Sequence, residues 1–236
     1  MEPKYGTLYL YGEKWYSYNQ FIQNCCKTRR ICKRNKKIVL SGRKVLFVAT
    51  KKQAKDIVAE KADSVNMPYI TERWPGGMLT NFVTIRKAVK KMNAIDRMKA
   101  DGTFETLSKK EKLQVDRQRA KLEKNLGSIS DMTRLPGAIF VVDTLNEKIS
   151  VQEAQKLNIP IFAMVDTNSD PNEVDFIIPS NDDASKSIEK ILNIVCSAIK
   201  ESLEERKKEK EIDEQKKLEE AEAISNSDDT DASKEE

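Results

Sequence analysis

The residues best suited to chemistry lie in one short run, Arg73-Trp74-Pro75-Gly76-Gly77-Met78-Leu79-Thr80-Asn81-Phe82. Two adjacent glycines behind a proline can turn backbone N–H groups toward a phosphate, with Arg73 supplying charge and Trp74 a stacking surface for a base. The run is not GxGxxG and follows no strong strand pattern, so a dinucleotide fingerprint is poorly supported. A tight turn between strand and helix accounts for the same residues. A second candidate, Asp166-Thr167-Asn168-Ser169-Asp170, opens like a calcium loop. Its sixth position is Pro171 where the loop needs Gly, and its twelfth is Ile177 where it needs a bidentate Glu, which favours an Asx-rich turn. Asp143 and Asp166 make a candidate carboxylate pair at predicted strand ends, where ligands sit in open α/β sheets. No base, nucleophile or phosphate loop accompanies them.

The chain contains no histidine. That removes Ser-His-Asp and Cys-His catalysis and every His-based zinc site. The four cysteines, Cys25, Cys26, Cys32 and Cys196, lack paired CxxC spacing and form no disulfide framework for a cytosolic chain. No catalytic residue, metal or cofactor is expected.

Whatever these residues do, an alternating pattern of elements must position them. Lys44–Ala49, Ala138–Asp143, Ile159–Asp166 and Phe176–Pro179 are short β-type runs, mostly continuous Val, Ile, Phe and Leu. That composition suits parallel strands covered on both faces by helices, and so an open α/β sheet. Lys52–Ser64 reads as a helix with Ala54, Ile57, Val58, Ala62 and Val65 on one stripe. Ser150–Leu157 and Ser185–Leu203 read likewise, the latter striped by Ile188, Ile191, Leu192, Val195 and Ile199 and preceded by a cap at Asn181–Asp183. The stretch 84–135 carries no strand signal. Ile85, Val89, Met92 and Ile95 share one face of a basic helix, Ala100-Asp101-Gly102-Thr103 breaks it, and Leu113, Ala120, Leu122 and Leu126 stripe a second. An antiparallel helical hairpin projecting from the sheet follows.

Net charge is only +4 over 236 residues, but the charge is segregated. Residues 1–37 carry 9 Lys and Arg against 2 acids, residues 84–135 carry 14 against 7, and the last 36 residues carry 7 against 15. Basic blocks suit a polyanion, since Lys and Arg gain affinity by releasing phosphate counterions. Solvated helix faces would give the same counts. The Glu/Lys-rich end, closing in NSDDTDASKEE, has almost nothing apolar and is expected to be disordered. No apolar run approaches the length of a membrane span, and the N-terminus has no signal-peptide pattern, so a cytoplasmic, soluble protein is expected.

The ordered motifs carry a further message. GRKVLFVATKKQA (42–54), RWPGGMLTNF (73–82), KLEKNLGSISDM (121–132), LPGAIFVVDT (135–144) and NIPIFAMVDTNSDPNEVDFIIPSNDDA (158–184) together closely resemble the bacterial ribosomal protein S-two family, in order and spacing from about Val39 to Leu203. The resemblance implies a flavodoxin-like (Rossmann-like) parallel sheet flanked by helices at 38–83 and 136–203, a helical hairpin inserted at 84–135, and a charged tail at 204–236. It implies a non-enzymatic, structural component of the small ribosomal subunit that binds its rRNA, contacts other small-subunit proteins and helps recruit ribosomal protein S-one. Matching cations and loop residues to the motifs gives Lys51, Lys52, Arg73, Trp74, Gly76, Gly77, Thr80, Asn81, Arg86, Lys87, Lys90, Lys91 and Arg97 as the expected RNA-binding set. The alternative is a flavodoxin-like nucleotide-binding protein or enzyme using Asp143 and Asp166.

Residues 1–37 depart from that resemblance. The family's WNPxMxPYI and NGIHII words are missing, and five of the six Tyr and three of the four Cys fall here instead. A basic aromatic arm for RNA is one reading. A second is translation out of frame: codons for NGIHIIN followed by LYKTAAK, shifted by two bases, reproduce Trp15–Gln20 and then Phe21–Lys27. The frame would be regained near Asn35-Lys36-Lys37, and the segment would then have no selected structure or RNA role.

Overall fold

The computed structural model describes residues 34, 36, 38–166 and 168–231, with side chains to 209 and at 211. Its centre is a five-stranded, wholly parallel sheet in the order β2-β1-β3-β4-β5, with β1 Val45–Val48, β2 Tyr69–Ile70, β3 Ala138–Val142, β4 Ile161–Val165 and β5 Phe176–Pro179. β2 precedes the Arg73 run and is missing from the expectations above, because two residues are too few for any periodicity.

Alternate residues of the strands feed two separate cores. Val45, Phe47, Phe140, Val142, Phe162 and Met164 face helices α1 (Lys52–Ser64) and α5 (Ser185–Asp231), meeting Val58, Ala62, Leu192 and Ile199. Leu46, Val48, Ile139, Val141, Ile161 and Ala163 face the other way. There they meet α4 (Lys148–Lys156) through Val151 and Ala154, the loop residues Trp74, Met78 and Leu79, and the hairpin base at Leu126, Ile129 and Met132. Burial on both faces is why β1, β3 and β4 are apolar throughout. Sequence and structure thus agree on a flavodoxin-like α/β sheet.

Helices α2 (Phe82–Ala100) and α3 (Lys109–Leu126) form the antiparallel hairpin, turned by Gly102 at φ +73°. Lys99 pairs with Asp116 at 2.6 Å, and Arg119 with Asp96. Ser108 and Glu111 close a reciprocal capping box on α3. The inward face of α2 is the expected one, with Met92 and Ile95 buried and Ile85 and Val89 half-buried. That of α3 is not. Val115, Arg119, Leu122 and Leu126 turn inward, whereas Leu113 and Ala120 are exposed. Residues two apart, such as Ala120 and Leu122, lie about 200° apart around a helix and cannot share a stripe.

Helix α5 continues to Asp231, but its apolar stripe ends at Leu203. Beyond that, Glu204, Glu205, Lys207, Lys208, Glu209 and Glu211 are exposed and Arg206 is partly covered, so among the described residues those after Leu203 add nothing to the core. Most of residues 1–37, including Cys25, Cys26 and Cys32, lies outside the described residues.

Candidate nucleic-acid interface

The Pro-Gly-Gly loop does hold an anion, and that anion belongs to the protein itself. Helix α4 places Glu153 on the same inward face as Ser150 and Ala154. Its carboxylate then reaches the loop. Oε1 accepts from the Gly77 N–H at 2.7 Å and the Trp74 indole N–H at 3.2 Å. Oε2 accepts from the N–H groups of Leu79 (2.9 Å) and Thr80 (3.2 Å) and from the Thr80 hydroxyl (3.3 Å). Burial alone would raise the Glu153 pKa; the donated bonds from Leu79, Gly77, Trp74 and Thr80 outweigh it and hold the carboxyl below its ordinary range. Gly77 adopts φ +81°, where only glycine is unstrained, while Gly76 faces open space.

Two expectations are corrected here. Trp74 is buried in the core under the sheet and spends its indole N–H on Glu153, so it offers no stacking surface in this conformation. The Gly77 and Thr80 amides are likewise already occupied. Glu153 is absent from the expected set, although a carboxylate spaced i+3 from Ser150 and beside Ala154 on a half-apolar helix signals a buried group in need of donors.

Lys51 is also turned inward. It lies just after β1, at the carboxyl end of the sheet, where its Nζ meets Asp183 Oδ1 at 2.6 Å, Asp182 Oδ1 at 3.0 Å and Asp143 Oδ2 at 3.8 Å. Burial opposes its charge, but Asp183 and Asp182 more than restore it, and its pKa is raised. Asp143 sits in the left-handed region at φ +68°, held by bonds accepted from the Leu145 N–H and the Asn146 side chain. Thr50 donates its N–H to Glu147, a buried carboxyl pushed up chiefly by desolvation and further by Asp143. Asp166, Asp182 and Asp183 bring carboxylate oxygens within 4.8 Å of one another, an oxygen-only set suited to a hard divalent cation. The Lys51 ammonium already supplies positive charge to two of them. In this sheet order the ligand crevice lies outside the carboxyl ends of β1 and β3, and here the ion network of Lys51 with Asp143, Asp182 and Asp183 stands at that end of the sheet.

The remaining expected site residues reach solvent. Lys52, Arg73, Gly76, Thr80 and Asn81 are exposed around the loop, and Asn81 accepts from the Thr84 hydroxyl at 2.8 Å. Arg86, Lys87, Lys90, Lys91 and Arg97 are all exposed on α2. Helical periodicity aligns Arg86, Lys90 and Arg97 on one line and Lys87 with Lys91 on the next. Among the described residues none of these five cations is in an ion pair.

Comparison with known proteins decides the family. The family model described as ribosomal protein S2 matches residues 9–202. The chain belongs to the ribosomal protein S2 family. Proteins named small ribosomal subunit protein uS2 are similar to it: that of Flavobacterium johnsoniae is 75% identical over 178 residues, 75% of this chain and 70% of the relative. That of Christiangramia forsetii is 77% identical over 73% of this chain and 58% of the relative, and that of Phocaeicola vulgatus 70% identical over 74% and 63%. The matched part of this chain therefore spans between about three-fifths and seven-tenths of those relatives' lengths. With the family established, the enzyme alternative at Asp143 and Asp166 falls away. No helix among the described residues is long and apolar enough to cross a membrane.

Proposed function

We propose that this protein is a structural constituent of the small ribosomal subunit in the cytoplasm and binds small-subunit rRNA through the outer face of α2. The observation that carries the reading is the contrast between its cations. Lys51 is consumed by an internal network, whereas Arg86, Lys87, Lys90, Lys91 and Arg97 stand in two exposed rows with no ion-pair partner among the described residues. Two rows of cations along a projecting helix fit a phosphate backbone, to which each contributes by counterion release. Lys52, Arg73, Gly76, Thr80 and Asn81 extend the surface around the loop. Neighbouring small-subunit proteins, ribosomal protein S-one among them, are the proposed protein partners.

Co-sedimentation of the full chain with small subunits at moderate salt tests this, compared with the triple variant Arg86→Ala/Lys90→Ala/Arg97→Ala. The variant is expected to leave the subunit fraction with its fold intact by circular dichroism. Equal retention of both proteins would refute the proposal.

A further inference from the structure

We infer that Glu153, which is in no ion pair among the described residues, is a positioning residue for RNA binding: it fixes the direction in which the basic hairpin leaves the sheet. The inference rests on the proposed role of α2 and deepens it. The hairpin departs from the sheet through a short connection, Thr71 to Asn81, and α2 begins at Phe82. Within that connection Glu153 collects three backbone amides, from Gly77, Leu79 and Thr80, and two side-chain donors, from Trp74 and Thr80. The last of them lies two residues before α2 starts. Glu153 itself is carried by α4, whose Val151 and Ala154 are locked into the sheet core. One carboxylate thus ties the launch point of α2 to a helix packed into the sheet core, and a binding surface made of two spaced rows of cations depends on that angle.

Electrostatics and positioning predict opposite signs for its removal, which makes the idea testable. Glu153→Gln deletes a negative charge near a polyanion-binding surface, so by charge alone rRNA affinity should rise. A Gln side chain presents one acceptor oxygen in place of two, so it cannot hold Gly77 and Trp74 together with Leu79 and Thr80. If Glu153 positions the hairpin, affinity for transcribed small-subunit rRNA in filter binding should fall about tenfold. Hydrogen exchange should quicken at Leu79, Thr80 and the first turn of α2, while the amides of β1, β3 and β4 keep their protection. Unchanged or stronger binding by Glu153→Gln, with those loop amides released, would overturn the inference.

Arg86→Ala/Lys90→Ala serves as the reference. If it also binds like the parent, the proposed RNA surface is wrong and the inference falls with it; if it alone binds weakly, the surface stands and only the role of Glu153 is lost. Should Glu153→Gln fail to fold, Trp74→Phe keeps an aromatic ring at this position and removes the indole donor, with an expected loss of about threefold, and parental affinity there would overturn the inference.

Discussion

The Gly77 amide donates to Glu153 Oε1 at 2.7 Å, joining a loop residue to a helix far along the chain. The bond requires the left-handed backbone of Gly77 at φ +81°. Gly77→Ala is therefore expected to destabilise the fold by about 1–2 kcal/mol, the cost of a Cβ in that region. Gly76→Ala, with open space at its Cβ position, should stay within about 0.5 kcal/mol of the parent. Urea unfolding of the two variants checks the contrast, and equal costs would contradict it.

Asp182 gives the pH dependence a definite sign. Its carboxyl is raised first by burial, with Asp143 adding to the shift and Lys51 opposing it. A carboxyl with a raised folded pKa binds its proton more tightly in the folded state, so it withdraws stability as pH climbs from about 4 through the raised value. Asp182→Asn stays neutral and leaves Lys51 its closer partner, Asp183. The stability of the parent relative to this variant should fall between pH 4 and pH 7, as measured by urea midpoints. A difference constant across that range would count against the assignment.

The hairpin has its own lock. Ser108 accepts from the Glu111 N–H while Glu111 accepts from the Ser108 N–H. Ser108→Ala should cost about 1 kcal/mol and accelerate amide exchange in the first turn of α3, leaving the sheet unaffected. Exchange that speeds up equally in β3 would mean the hairpin and sheet unfold as one unit.

Salt titration tests the two rows of cations on α2. Each Lys or Arg that neutralises a phosphate adds roughly 0.7–0.9 to the slope of log affinity against log salt. Lys87→Ala/Lys91→Ala should flatten the slope accordingly with no shift in melting temperature, and an unchanged slope would remove that row from the interface.

The first 37 residues carry a prediction at the level of the gene. If they are read out of frame, the coding DNA around Asn35-Lys36-Lys37 contains an adenine run, and a one-base change there restores a family-like segment upstream. Sequencing that DNA decides the matter.

β1, β3 and β4 were legible because each is buried on both faces, which forces unbroken apolar runs such as Ala138–Val142. The core face of α2 was legible for a similar reason, its apolar residues recurring at three and four. Tyr69–Ile70 left no pattern because its partner Phe47–Val48 supplies the pairing and only two residues are needed. The site was harder. A tryptophan beside two glycines has the same letters whether it stacks on a base or plugs a core, and only the position of Glu153, far along the chain, decides between them. Lys51 likewise has the letters of a phosphate ligand, and only the sheet brings Asp143, Asp182 and Asp183 around it.

The hairpin also bears on how the chain comes to fold. Val45 on β1 must find Ala138 on β3, and the whole of α2 and α3 lies between them. Closing so long a loop is entropically slow. The pairs within the hairpin, Lys99 with Asp116 and Arg119 with Asp96, join residues much nearer in sequence than Val45 and Ala138. They can form while β3 is still being synthesised, and once they do, the loose chain between β2 and β3 shrinks to the two connections at the hairpin's base. The projecting arm thus doubles as a splint, set early, that shortens the search by which the sheet is assembled.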